Sequence, residues 1–255
     1  MPKLPEAHKF IDLSDYGRPI AILIANALKN TSFTPIHVTL LFVLSGLSAC
    51  YFILINSYGL AAFFLILKSI LDAADGELAR IKNKPSYTGR YLDSIADIFL
   101  NALFLTTIAY TTKESAWLCF FAFTGLQLQG TLYNYYNVIL RNKFNGDTTS
   151  RVFESQTPKA LSGEKQEHVN ILFGLYKLLY GAFDKTIYVL DKSANKGRSL
   201  PKWFMTSIST FGLGFQLLII ACMLVIGLKT YIIPFFLIYT ILVFVFITLR
   251  KSVLH

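Results

Sequence analysis

The chain has 255 residues, 54% of them hydrophobic and only 15% charged, with a mean hydropathy of +0.50. Soluble domains carry about 25% charged residues, so this composition excludes an ordinary soluble globule and points to a polytopic membrane protein. The net charge of +9, from 24 Lys and Arg against 15 Asp and Glu, fits a positive cytoplasmic-loop bias and anionic partners such as lipid headgroups and phosphorylated substrates.

Residues 1–35 read as an N-terminal cytoplasmic or interfacial segment. Within it, residues 14–28 suit an amphipathic helix capped by Ser14 or Asp15, with Pro19 in its first turns. Ile20, Leu23, Ile24, Ala27 and Leu28 would share a face, lying in the membrane interface or packed on the bundle. The early prolines and charges argue against a cleavable signal peptide. Cys50, Cys119 and Cys222 lack CxxC spacing, which indicates neither a disulfide framework nor a zinc site.

Residues 36–255 read as one membrane domain. Six apolar spans are expected near 36–56, 58–81, 91–111, 115–140, 203–227 and 230–249, each close to the ~20 residues a crossing helix needs. The links near 57, 113 and 229 are short, so successive helices pair as antiparallel hairpins. Only Lys113 and Lys229 fall on the side of those links, and all other Lys and Arg lie on or toward the opposite side. Positive charge favours the cytoplasm, so both termini, the acidic stretch described below and a long loop at 142–202 are expected there. The expected location is a bacterial cell membrane. In that loop residues 145–151 read as a turn. Residues 169–191 are apolar but interrupted by Lys177, Gly181, Asp184 and Lys185, which suits an interfacial or cytoplasmic helix pair better than a seventh span. The fold class is thus all-α: a bundle of six transmembrane helices with an N-terminal interfacial amphipathic helix.

Residues 72–97 carry the chemistry. They hold five of the 15 acidic residues, at the edge of apolar spans, where carboxylates are costly to desolvate. Asp72 and Asp75 are spaced i, i+3 on one helix, and Asp93 and Asp97 i, i+4 on the next, so each pair shares a face. Pro85 and Gly89 mark a break and a turn between the helices. Four carboxylates facing a common space suppress one another's ionisation unless cations neutralise them. Oxygen ligands without His or Cys suit hard ions, Mg²⁺ or Mn²⁺, and two such ions can clamp a phosphoryl group. Gly76 would let a ligand approach the backbone, and Arg80 would pair a phosphate. Lys68, one turn before Asp72, is read as its ion-pair partner, and His37 as an interfacial residue rather than a metal ligand. The polar end of the fourth span, with Gln127, Asn134 and Asn137, implies a wet cavity on the same side.

The pattern Asp72-x2-Asp75-Gly76-x2-Ala79-Arg80-x8-Gly89-x3-Asp93-x3-Asp97 resembles the signature of the CDP-alcohol phosphotransferase family, with every position filled. The resemblance covers about residues 30–140 well, and the last two spans by topology alone. It implies transfer from a CDP-linked donor to an alcohol with release of CMP. It further implies that Asp72, Asp75, Asp93 and Asp97 hold two divalent ions and that Asp97 is the general base. Gly76, Arg80 and Gly89 would line the nucleotide site. Family members carry Pro-Asn-x-x-Thr at the first span; here Thr39 matches as a nucleotide contact, while Ile36 replaces the asparagine. A homodimer is also implied. The donor is read as CDP-diacylglycerol and the acceptor as a small alcohol such as glycerol phosphate, inositol, inositol phosphate or serine. Arg141, Lys143 and Arg151 are the candidate acceptor-phosphate residues. Membrane lipids are partners, and nucleic acid is not.

Two alternatives stand beside this reading. One is transfer from a soluble CDP-choline or CDP-ethanolamine type donor to a lipid acceptor. The other, of a different class, is a divalent-cation transporter. A pathway across the bilayer needs acids at several depths, whereas these cluster at one end.

Overall fold

A computed structural model describes residues 4–144, 156–196 and 200–253. Arg151 and the expected turn at 145–151 lie outside the described residues. Ten α-helices and no strand occur among those described.

Helix α1 (Arg18–Leu28) starts later than the sequence suggests. Asp12 accepts a hydrogen bond from the Ser14 amide at 3.1 Å and holds Leu13–Asp15 in a 3-10 turn. Neither Ser14 nor Asp15 therefore caps α1, which begins after Gly17. Its expected apolar face divides. Ala21 and Ala25 are buried, with Ile24 and Leu28 packed beside them, while Ile20 and Leu23 are 51% and 69% exposed.

Helix α2 (Pro35–Leu54) is opened by Thr34, whose hydroxyl accepts from the His37 amide, while the His37 ring accepts from the Thr34 amide at 3.1 Å. This reciprocal cap satisfies two otherwise orphaned donors. His37 is thus a capping residue. The hairpin partner α3 (Tyr58–Ile81) follows a link in which Asn56 takes a positive φ of 59°.

Helix α4 (Tyr87–Thr112) begins earlier than expected, because Ser86 caps it by accepting from the Gly89 amide at 2.8 Å. Gly89 therefore lies in the first turn of a helix and not in a turn between helices. The chain reverses one step earlier, with Asn83 at φ 50° ahead of Pro85. Helix α5 (Ala116–Lys143) follows a short link and is capped by Ser115.

Helix α6 (Gln166–Leu190) corrects the expected helix pair: it runs unbroken through Gly181. Next come α7 (Lys202–Ile208), a 3-10 turn at Ser209–Phe211 and α8 (Leu213–Val225), bent by 54°. The span expected over 203–227 is thus bent where the N-terminal segment crosses. The Leu13 amide donates to Ser209 Oγ at 2.9 Å, and a Cβ on Gly214 would overlap the Ser14 carbonyl oxygen. Helices α9 (Ile232–Tyr239) and α10 (Ile241–Val253) close the chain.

Among the described residues three helices are long and apolar enough to cross a membrane: Pro35–Leu54, Tyr87–Thr112 and the run Lys229–Ser252; the bent α7–α8 pair would be a fourth. Helices α3 and α5 have 24 and 28 residues, long enough to span but polar at one end. The main core joins α2, α3, α4, α5, α8 and α9 through residues such as Phe42, Leu65, Phe104, Leu126, Leu217 and Phe236. Lipid is as apolar as these side chains, so close packing rather than water exclusion holds the helices together. Gly125 illustrates the point, since any Cβ there would run into Thr240.

Candidate active site

The α3–α4 hairpin positions the acidic residues. Its tight reversal sets the last turns of α3 beside the first turns of α4, so the two i-spaced pairs face each other. Asp72, Asp75 and Asp93 each offer an oxygen, and these atoms lie within 4.8 Å of one another. Asp75 is 9% exposed, and its Oδ2 accepts from the Thr39 hydroxyl at 2.8 Å. Oδ1 of Asp93 is buried and has no hydrogen-bond partner. A buried carboxylate oxygen without a donor is costly, and a hard cation is a group that satisfies it. The donor set therefore fits Mg²⁺ or Mn²⁺.

Asp97 stands apart from this trio. The fully buried Lys68 donates to Asp72 Oδ2 at 2.6 Å and also to Asp97 Oδ1. The Asp72 pairing matches the sequence reading; the bridge to Asp97 on the other helix was not foreseen. The Lys68 ammonium also lies 4.5 Å from the centre of the Phe42 ring. One lysine thus ties α2, α3 and α4 beneath the carboxylates.

The residues assigned to the nucleotide lie around this hairpin. Thr39 touches the trio directly through Asp75. Beside Gly76 a Cβ would meet nothing nearer than the Arg80 guanidinium at 3.5 Å, so the backbone is open to approach there. Arg80 pairs with Glu77 at 3.0 Å, and Arg18 of α1 pairs with the same carboxylate. Gly89 sits in the first turn of α4 beside Ser86.

A cavity of about 340 Å³ adjoins the hairpin, walled by α3, α4, α5, α6 and the start of α8. Asp72 and Asp97 reach it, as do Gln127, Asn134 and Asn137, so the expected polar cavity exists. Arg141 lines it as well, and its Nε donates to Asn137 Oδ1 at 3.2 Å. A relay continues from Asn137 to the Tyr133 hydroxyl at 3.1 Å and on to Asp12 at 2.5 Å. Lys143 is exposed at the end of α5, outside the cavity lining.

Sequence reasoning placed the 142–202 loop over the site but did not identify which of its side chains reach the cavity. Tyr176, Tyr180 and Asp184 line the cavity. Their recurrence at every fourth position in an apolar run was the available signal. It also missed Glu164, which accepts from the Ser86 hydroxyl and the Thr88 amide, both at 2.7 Å, at the N-terminus of α4.

Fold and site define an all-helical membrane protein with a carboxylate centre beside a polar chamber. A family model for CDP-alcohol phosphatidyltransferase matches residues 32–159, half of the chain, and the chain belongs to that family. It is 34% identical over 148 residues to a bifunctional IPC transferase and DIPP synthase from Thermococcus kodakarensis, covering 57% of this chain and 33% of that protein. A protein of the same name from Archaeoglobus fulgidus is 38% identical over 112 residues, 43% of this chain and 22% of the relative. An archaetidylinositol phosphate synthase from Pyrococcus horikoshii is 36% identical over 86 residues, 34% of this chain and 46% of the relative. The chain thus spans a third or less of the length of the two bifunctional relatives, and under half of the Pyrococcus protein.

Proposed function

We propose that this protein transfers a substituted phosphate, in the first instance phosphatidyl, from a CDP-linked lipid such as CDP-diacylglycerol to a hydroxyl acceptor, releasing CMP. The observation that carries the reading is the convergence of Asp72, Asp75 and Asp93 from two helices, with an unpartnered Asp93 oxygen, at the edge of a polar cavity. Family membership and the relatives' names support phosphotransfer in lipid synthesis.

Asp72, Asp75, Asp93 and Asp97 would hold two divalent cations. When bound, such ions would neutralise the donor's diphosphate and stabilise the departing CMP. Thr39 orients Asp75 through its hydroxyl. Gly76 leaves its backbone accessible to the nucleotide, with Arg80 and Gly89 flanking it. Asp97 faces the cavity and would take the proton of the acceptor hydroxyl. The acceptor oxygen then bonds to the lipid-bearing phosphorus, the diphosphate bridge breaks, and CMP leaves with the bridging oxygen. Arg141 is the cavity residue suited to an anionic group on the acceptor; Lys143 and Arg151 are candidates for the same role by sequence alone.

The membrane arrangement belongs to the same proposal. Helices α2, α3, α4, α5, the α7–α8 pair and the α9–α10 run would make six crossings, with the carboxylates and both termini cytoplasmic. The exposed Ile20 and Leu23 of α1, and the exposed Ile171 and Leu178 of α6, suit helices lying against the bilayer surface.

The test is CMP release by purified protein with Mg²⁺ or Mn²⁺, CDP-diacylglycerol and a panel of alcohols, repeated with CDP-ethanolamine and a lipid alcohol. Metal-dependent CMP release from CDP-diacylglycerol is expected, and Asp97→Asn should lower it by about 10²-fold or more. No release with any donor and acceptor would contradict the reading, and an undiminished rate in Asp97→Asn would remove its role as base.

A further inference from the structure

Metal ions are not the only cations that the carboxylate centre can hold. Lys68 is not a position of the signature pattern, yet its side chain lies inside the cluster and is fully buried. Its ammonium donates to Asp72 Oδ2 at 2.6 Å and to Asp97 Oδ1. It also lies 4.5 Å from the centre of the Phe42 ring, itself fully buried. These contacts come from α2, α3 and α4, so the cation is enclosed by the bundle and does not reach in from the surface. Asp72 serves two groups. It belongs to the trio with Asp75 and Asp93, and it shares Lys68 with Asp97.

This geometry makes two ion positions unequal. The trio brings three carboxylates together, and Asp93 adds a buried oxygen with no hydrogen-bond partner. A second position would draw on Asp97 and Asp72, the two carboxylates that Lys68 already holds. Charge gives the same ranking. Four ionised carboxylates and one ammonium carry three net negative charges. One divalent ion leaves a single negative charge. A second leaves a positive one, beside Lys68, in a buried space where uncompensated charge is costly. Other charges nearby offset one another. Arg18 and Arg80 pair with Asp15 and Glu77, and Arg141 and Asp184 both line the cavity. A diphosphate esterified at both ends brings two negative charges, which removes the excess that a second ion creates.

We infer that Lys68 is a resident cation of the carboxylate centre, standing in for the charge of a second divalent ion until the donor's diphosphate arrives. The trio then takes one ion alone, and the second is taken up together with the donor. This rests on the two-ion transfer proposed above and adds an order of binding to it. Lys68 is a positioning residue, acting through Asp72 and Asp97.

The experiment counts ions rather than turnover. Purified protein in detergent is titrated with Mn²⁺, without acceptor, and bound ion is read from loss of the free-ion electron paramagnetic resonance signal. Wild type is measured alone and with CDP-diacylglycerol in mixed micelles, the same micelles without protein serving as the blank. Lys68→Met and Lys68→Gln, two neutral replacements of different polarity, are measured alone. The wild type should bind one equivalent tightly and a second at least roughly tenfold more weakly. Saturating CDP-diacylglycerol should bring the second into the tight class. A folded neutral variant should bind two tight equivalents with no donor present. A lysine with a purely structural role would change the melting temperature and leave the ion count as it is. Two equally tight equivalents in the wild type without donor would overturn the inference, as would an unchanged count in the folded neutral variants. So would a count that the donor does not alter in protein that releases CMP from it. Each of these leaves the transfer itself standing, because CMP release tests that separately. No uptake under any condition would overturn the inference together with the two-ion reading on which it rests.

Discussion

At the scale of single residues, Lys68 is the most informative. It is fully buried, and its ammonium sits between Asp72 and Asp97. A buried charge cluster is stable only while its charges balance. Replacing Lys68 by Met keeps the volume and removes the cation. Breaking a buried pair in this way costs about 3–5 kcal/mol, so Lys68→Met should melt well below the wild type when divalent ions are chelated. Added Mg²⁺ or Mn²⁺ should narrow that gap, because it supplies the missing positive charge to the same carboxylates. Thermal unfolding in detergent, with and without metal, checks this; equal melting of the two proteins under chelation would contradict it. The i+4 spacing to Asp72 made half of this arrangement readable from sequence. The other half, Asp97, depends on how two helices meet, and no local spacing encodes that.

At the scale of elements, the α3–α4 hairpin was largely legible. Periodicity placed each aspartate pair on one face, and the structure brings three of the four together. The boundary was not legible, since Ser86 outcompeted Gly89 as the landmark by capping α4 with its side chain. Helix α6 was read as interrupted because Gly181 and the charges weaken a helix locally, whereas its contacts with Tyr91 and the anchors at Glu164 and Asp191 override that preference. Glu164 offers a test of the docking. Burial alone would raise its carboxyl, but donors from the Thr88 backbone, the Ser86 hydroxyl and the Leu161 backbone outweigh it and hold the group below its ordinary value of 4.5. A depressed carboxylate stabilises the fold above its unfolded value, and that contribution is lost as the pH falls below 4.5 through the folded value. Hydrogen exchange, corrected for intrinsic rates, should show the Thr88 and Leu161 amides losing protection in that window. Glu164→Gln should lack the step; an identical step in the variant would show that another group controls it.

At the scale of the whole molecule, composition identified a membrane protein and hydropathy found most of the helices, because both depend on summed apolar content. What they could not show was the break at Gly212, which arises from a contact with the chain's own N-terminal segment some two hundred positions earlier. That crossing closes one side of the polar chamber, and α6 closes another. The bundle therefore concentrates its buried charge at one end and leaves an oxygen of Asp93 without a donor. The account's central claim is that this cluster is a hard-cation site. Titration of purified protein with Mn²⁺, followed by loss of the free-ion electron paramagnetic resonance signal, tests it most directly. The wild type should take up Mn²⁺, and Asp93→Asn, equally folded, should bind it at least tenfold more weakly. No uptake by the wild type, or equal uptake by the two proteins, would contradict the account.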